Sequence, residues 1–190
     1  MDRSRLTSKG QGLKVCGTQP IKPMEIYILR HAIAETAPNP PSGGDSKRRL
    51  TAEGADKMRR AARGMKALDL AFDLIISSPY PRAKETAEIV AEVLPAGKRI
   101  EVSALLQPDG DLKEFIGELK RKHGDKEQVL IVGHEPGLSR LISMLTSGHA
   151  RTSIELKKGA LCKLTVATLE HDRCATLEWL LTSRQMRRLE

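Results

Sequence analysis

The sequence predicts an α/β domain, a three-layer sandwich in which helices flank a mostly parallel central sheet. Three observations predict it. Short runs of β-forming residues at 26–29, 74–77 and 128–133 are separated by stretches of helical periodicity, the pattern of strands joined by crossover helices. The runs are largely apolar, as buried parallel strands are. Each gives way at its carboxyl end to small or polar residues carrying Arg or His: Arg30-His31, Ser77-Ser78-Pro79 with Arg82 beyond, and Gly133-His134. In open α/β sheets that edge is where ligands bind.

Taken in order, residues 1–22 carry Gly, Ser, Lys and Arg without periodicity and without the apolar stretch of a secretory signal. We expect residues 1–23 to be a disordered extension. Met24 lies directly before the first strand, so a start codon called too early would explain the extension; a basic arm is the alternative. Residues 24–190 are expected to form one domain. The strand Ile26–Leu29 ends on Arg30 and His31. A single such pair is more often chance than chemistry, and the other two strand ends change the balance. Residues 32–47, with Pro38, Pro40, Pro41, Gly43 and Gly44, read as a loop, closed by Arg48 and Arg49. Thr51 is a suitable N-cap for a helix from Ala52 to Leu68, whose Ala55, Met58, Ala62, Met65 and Leu68 share one face.

The second strand, Leu74–Ser77, precedes a helix from Pro81 to Leu94. Proline suits the first helical position. Arg82 then sits in the first turn, where free N–H groups and the dipole favour an anion. Arg99–Val102 reads as an edge strand, 107–111 as a turn, and Leu112–Lys122 as a helix. Gln128–Gly133 is the next strand and Pro136–Leu145 the helix after it. Ala160–Ala167 and Ala175–Leu181 read as an antiparallel hairpin at a sheet edge, and Arg184–Glu190 as an exposed charged tail. His123, His149 and His171 stand in polar stretches and are expected on the surface.

Composition excludes several classes. No apolar run approaches the roughly 18–20 residues a membrane span needs. The net charge is +8, but the first 22 residues hold Arg3, Arg5, Lys9, Lys14 and Lys22 against Asp2, half of that excess. The domain is only modestly basic, and aromatic residues at 3% offer little for single strands to stack on, so a nucleic-acid partner is not expected. Cys16, Cys162 and Cys174 have neither paired nor metal-type spacing, which suits reduced thiols in the cytoplasm. His134-Glu135 is not a zinc-protease helix, because Leu138 stands where the second His is needed. There is no Walker-type loop and no internal repeat.

Parallel strands would bring Arg30, His31, Arg82 and His134 into one crevice, and two His with two Arg describe a phosphate site. The Arg-His after the first strand, Ser-Ser-Pro-x-x-Arg-Ala-x-x-Thr-Ala from Ser77 and Gly-His-Glu-Pro-Gly from Gly133 resemble the histidine phosphatase superfamily. The short length and the Arg48-Arg49-Leu50-Thr51-x-x-Gly54 segment resemble its SixA-type phosphohistidine phosphatase branch. The resemblance runs from about Met24 to near the C-terminus. It implies the phosphoglycerate mutase-like fold, His31 as nucleophile, Arg30, Arg82 and His134 as a phosphate pocket, Arg48 as a further substrate-binding position, and catalysis without metal or other cofactor. It departs at one point: the family reads Arg-His-Gly, and here Ala32 follows His31, a strain if that residue needs φ > 0.

Larger superfamily members carry a Glu acid after the third strand, where this chain has Gln107; Asp109 is the nearby acid, better read as a turn former. The chain also lacks room for a large cap. Both features favour a phosphorylated protein, such as a histidine phosphorelay domain, over a small phosphate ester, and disfavour a mutase. A non-catalytic phosphate-binding protein is the reading from another class, and the complete set of Arg30, His31, Arg82 and His134 argues against it.

Overall fold

Six strands form one sheet in the order β3-β2-β4-β1-β5-β6. They are β1 (Met24–Arg30), β2 (Leu74–Ser77), β3 (Ile100–Val102), β4 (Gln128–Gly133), β5 (Leu161–Val166) and β6 (Ala175–Leu181). The computed structural model describes residues 23–36, 44–94 and 100–190. Nearly all of the expected N-terminal extension, the 37–43 part of the proline-rich loop, and Arg99 lie outside the described residues. The helices are α1 (Ala52–Ala67), α2 (Pro81–Val93), α3 (Leu112–His123), α4 (Gly137–Ser147) and α5 (Ser183–Met186).

Strands β1, β4, β2 and β3 run parallel, and β5 and β6 close one edge antiparallel. Alternation along each strand divides the core between the two faces. Ile26, Ile28 and Ile131 meet Phe115, Ile116 and Leu119 of α3 and Leu138, Leu141 and Leu145 of α4. Tyr27, Leu29 and Ile75 meet Met58, Ala62 and Met65 of α1 and Ala83, Ala87 and Val90 of α2. This is the expected α/β sandwich.

Register places the site. Arg30 pairs with Gly133 across β1 and β4, and Ser77 with Val132 across β2 and β4. The three carboxyl ends are level, and the ladder runs one bond further, with His31 N–H on Gly133 O at 3.1 Å and Ser78 N–H on Val132 O at 2.9 Å.

Two expectations give way here. The C-terminal tail is not wholly exposed. Thr182 and Gln185 form a reciprocal cap on α5, and Met186 is fully buried against the α1 layer. A Cβ on Gly64 would stand 1.9 Å from Met186 O, so a glycine in α1 admits the tail. His123 is likewise buried rather than a surface residue, 3.0 Å from the Glu101 carboxylate. The helix after β4 begins at Gly137, with Pro136 in the capping position.

Candidate active site

His31 leaves β1 and is only 5% exposed. Its Nδ1 lies 2.8 Å from the Ala32 carbonyl oxygen. A carbonyl only accepts, so Nδ1 carries the proton and Nε2 keeps its lone pair. The Arg82 Nε–H donates to that Nε2 at 3.3 Å. Burial pulls His31 down to about 4, helped by the positive charges of Arg82, Arg30 and Lys158 and opposed by the Ala32 hydrogen bond. The ring is therefore neutral at pH 7, the form that can attack phosphorus.

Ala32 fits without strain. Among the described residues the one non-glycine with positive φ is Asp69, so the methyl group stands on ordinary backbone. Thr86 holds this corner: its Oγ1 accepts from Ala32 N–H at 3.1 Å and donates to Arg82 O at 2.6 Å. One helical residue thus fixes the residue after His31 to the turn that carries Arg82.

His134, past β4, faces His31 with ring centroids 5.1 Å apart. Its Nε2 lies 2.8 Å from Ser78 Oγ, and Ser78 Oγ also accepts from Tyr80 N–H at 3.4 Å. The Ser78 hydroxyl, with one proton and two lone pairs, can donate to Nε2 or accept from it. His134 Nδ1 is buried with no partner among the described residues. Burial, with the charges around His31 and Arg82, pulls His134 down to about 3. It is therefore a neutral hydrogen-bond donor at pH 7. The Tyr80 ring packs against it at 5.1 Å and carries the Arg82 guanidinium at 5.0 Å.

Arg82 sits in the first turn of α2, 2% exposed. Its Nη1 and Nη2 donate to the backbone oxygen and the carboxylate of Asp45, at 2.5 and 2.9 Å. Arg48 reaches the same carboxylate at 2.6 Å and donates to Glu35 O at 2.7 Å. Burial pushes the Asp45 carboxyl up, but Arg82 and Arg48 outweigh it and hold it below the usual carboxylate range. Arg30 donates to Leu156 O at 2.9 Å, and its Nε is buried without a partner among the described residues.

The structure therefore brings Arg30, His31, Arg82 and His134 together, with Arg48 tied in through Asp45. Asp45 and Ser78 are the site residues that sequence reasoning missed as participants. The spacing of Asp45 and Arg48, one 3₁₀ turn apart (Asp45–Lys47), was the available signal for the first. Gly54 also gains a reason: a Cβ there would stand 2.0 Å from Ile33 O, so α1 can press on the strand that follows His31. Asp109 is exposed on its turn and makes no polar contact with these groups. Among the described residues no cluster of His, Cys, Asp or Glu could hold a metal ion.

Known proteins share this sequence pattern and fold. The family model of the histidine phosphatase superfamily, branch 1, matches residues 26–107. The phosphohistidine phosphatase SixA of Escherichia coli is 29% identical over 127 residues, 66% of this chain and 76% of that one. A solved protein histidine phosphatase SixA, complexed with tungstate, superposes with a TM-score of 0.74 at 26% identity, covering 85% of this chain and 98% of the other.

The chain belongs to the histidine phosphatase superfamily. Its likeness within the superfamily is to the SixA-type branch, and the membership supports a phosphatase. An uncharacterised protein of Picosynechococcus sp. is also 32% identical over 142 residues, 74% of this chain and 84% of its own. No helix among the described residues is long and apolar enough to cross a membrane.

Proposed function

We propose that the chain removes phosphate from phosphohistidine on a protein, through a phosphohistidine intermediate on His31 and without a metal ion. The observation that carries the reading is the state of Asp45. It is the carboxylate that touches the cationic clamp, and Arg82 and Arg48 hold it ionised. An ionised carboxylate has no proton to give. An alkoxide leaving group needs one. A phosphorylated imidazole protonated on its second nitrogen departs as neutral imidazole and needs none.

In the first step the Nε2 lone pair of His31 forms a bond to phosphorus while the phosphorus–nitrogen bond of the substrate breaks. The electron pair leaves with the substrate imidazole. The proton stays on His31 Nδ1 and donates its hydrogen bond to the Ala32 carbonyl, which disperses the positive charge of the phosphorylated ring. In the second step water attacks phosphorus, the phosphorus–nitrogen bond breaks with its electron pair returning to Nε2 of neutral His31, and phosphate departs as H2PO4−, carrying both of the water's protons. Arg30, Arg82, Arg48 and His134 hold the phosphoryl oxygens. Phosphoryl transfer is mostly positioning and charge stabilisation, so three guanidinium groups and an imidazole can supply what a divalent cation supplies elsewhere. Substrate phosphate displaces the Asp45 carboxylate from Arg82 and Arg48 as an anion, so that group leaves the clamp without bringing a proton to it.

The likeness to SixA supports the substrate class. The partner is then a phosphorylated protein, such as a histidine phosphorelay domain, and not nucleic acid. The test is a substrate panel. A phosphohistidine protein should exceed sugar phosphates and other alkyl esters by about 10² or more in kcat/KM, the range that general acid catalysis contributes where it is needed. Preference for an alkyl ester would move the reading to a small-molecule phosphomonoesterase.

A further inference from the structure

Beside the nucleophile lies a second pocket, of about 200 Å³, that the chemistry above does not use. Ala32 and Ile33, the two residues after His31, form one wall. The rest is strongly basic: Lys57 from α1, Lys157 and Lys158 from the loop before β5, and Arg184 and Arg187 from the C-terminal segment. No carboxylate lines it. Lys57 pairs with Glu53, and Lys157 stands 3.7 Å from Glu155. Lys158, Arg184 and Arg187 have no ion pair among the described residues. Arg187 Nε is buried without a hydrogen-bond partner among them.

The fold builds this pocket firmly. Gly159 N–H donates to both Arg30 O and His31 O, at 3.1 and 3.2 Å, which ties the lysine loop to the catalytic strand end. Gly159 has φ +68, and a Cβ there would stand 3.2 Å from Ser183, so the glycine lets α5 close against the loop. The docked tail then holds Arg184 and Arg187 opposite Lys57. Glu53 answers Lys57 and acts on Arg187 from outside the lining, and five cations around one pocket still leave an excess of positive charge that favours an anion.

We propose that this pocket receives acidic side chains of the phosphorylated protein, next to its phosphohistidine. The proposal rests on the substrate reading above and adds how the substrate protein is chosen. A carboxylate there would meet several cations and Arg187 Nε–H, while the phosphoryl group reaches His31 across the Ala32 wall. The attraction steers encounter and fixes orientation, so it acts on KM and on salt dependence more than on kcat.

The test is the double variant Lys157→Glu with Arg184→Glu. Both side chains are exposed, and Lys158 is left in place because its charge acts on His31. Three substrates are compared: a histidine phosphorelay domain phosphorylated in vitro with carboxylates beside the phosphohistidine, the same domain with those carboxylates replaced by amides, and p-nitrophenyl phosphate. The variant should raise KM for the acidic domain by about tenfold or more, since like charges then face each other. Its kcat, and turnover of p-nitrophenyl phosphate, should stay within about twofold. The amide domain should lose most of the difference between wild type and variant. An unchanged KM for the acidic domain, or an equal rise for the amide domain, overturns the proposal while leaving the phosphohistidine reading intact. A wild-type protein that turns over p-nitrophenyl phosphate and neither domain overturns both.

Discussion

Lowering the pH should destabilise the protein through His31, by an amount that the structure sets. An unfolded histidine titrates near 6.5, and burial beside Arg82 and Arg30 takes the folded group to about 4. Between those values the unfolded chain binds a proton that the folded chain refuses, so stability falls as pH drops through that window. From about pH 7 to about pH 4.5 the loss from this one group is about 2.4 kcal/mol. The assay is urea unfolding of wild type and His31→Ala at both pH values. His31→Ala lacks the group, so its loss over the interval should be smaller than that of wild type by about this amount. Other groups titrate in both proteins and largely cancel. Equal losses, or a His31 ring signal titrating near pH 6.5 by NMR, would refute the reasoning that burial keeps the nucleophile neutral.

Arg82→Ala should lower kcat by about 10²–10³, the usual loss for one preorganised electrostatic contact. Arg82→Lys should remain clearly impaired, because it keeps the charge and loses the fork; a fully active Arg82→Ala would take Arg82 out of the clamp. Asp45→Asn should bind inorganic phosphate more tightly, since it removes the anion that competes for Arg82 and Arg48; an inhibition constant equal to that of wild type would show that Asp45 does not compete. Gly54→Ala drives a methyl group into the Ile33 carbonyl. It should destabilise the fold by about 1–3 kcal/mol and reduce turnover, measured by thermal melting and initial rates. Activity should survive exhaustive chelation, and a strict Mg²⁺ or Zn²⁺ requirement would contradict the cationic clamp.

The grouping of Arg30, His31, Arg82 and His134 was legible because Arg30, His31 and His134 stand where apolar runs break, and parallel register makes such breaks coincide. Arg82 could be read from its place after Pro81 in a first helical turn. Asp45 could not. It belongs to a segment without periodicity, and it reaches Arg82 only because Glu35 N–H bonds Arg49 O and Thr51 N–H bonds Ile33 O, folding the stretch before α1 against the strand that follows His31. The fit of Ala32 depends on a φ angle, which sequence does not print. The tail misled because four of its seven residues are charged, and the fate of Met186 was decided by a gap at Gly64, more than a hundred residues away. His123 misled similarly: Lys122, Gly124 and Asp125 flank it in sequence, while the fold buries it 3.0 Å from the Glu101 carboxylate of β3.

The central claim is that His31 Nε2 carries the phosphoryl group between substrate and water. The direct measurement is to quench the protein during turnover of a ³²P-labelled substrate and follow the label against pH. The account predicts a phosphoenzyme that is lost in acid and survives in base, as a phosphorus–nitrogen bond does, and that is absent from His31→Ala. An acid-stable phosphoenzyme, which would place the label on a hydroxyl such as Ser77 or Ser78, or hydrolysis at near wild-type rate by His31→Ala, would contradict it.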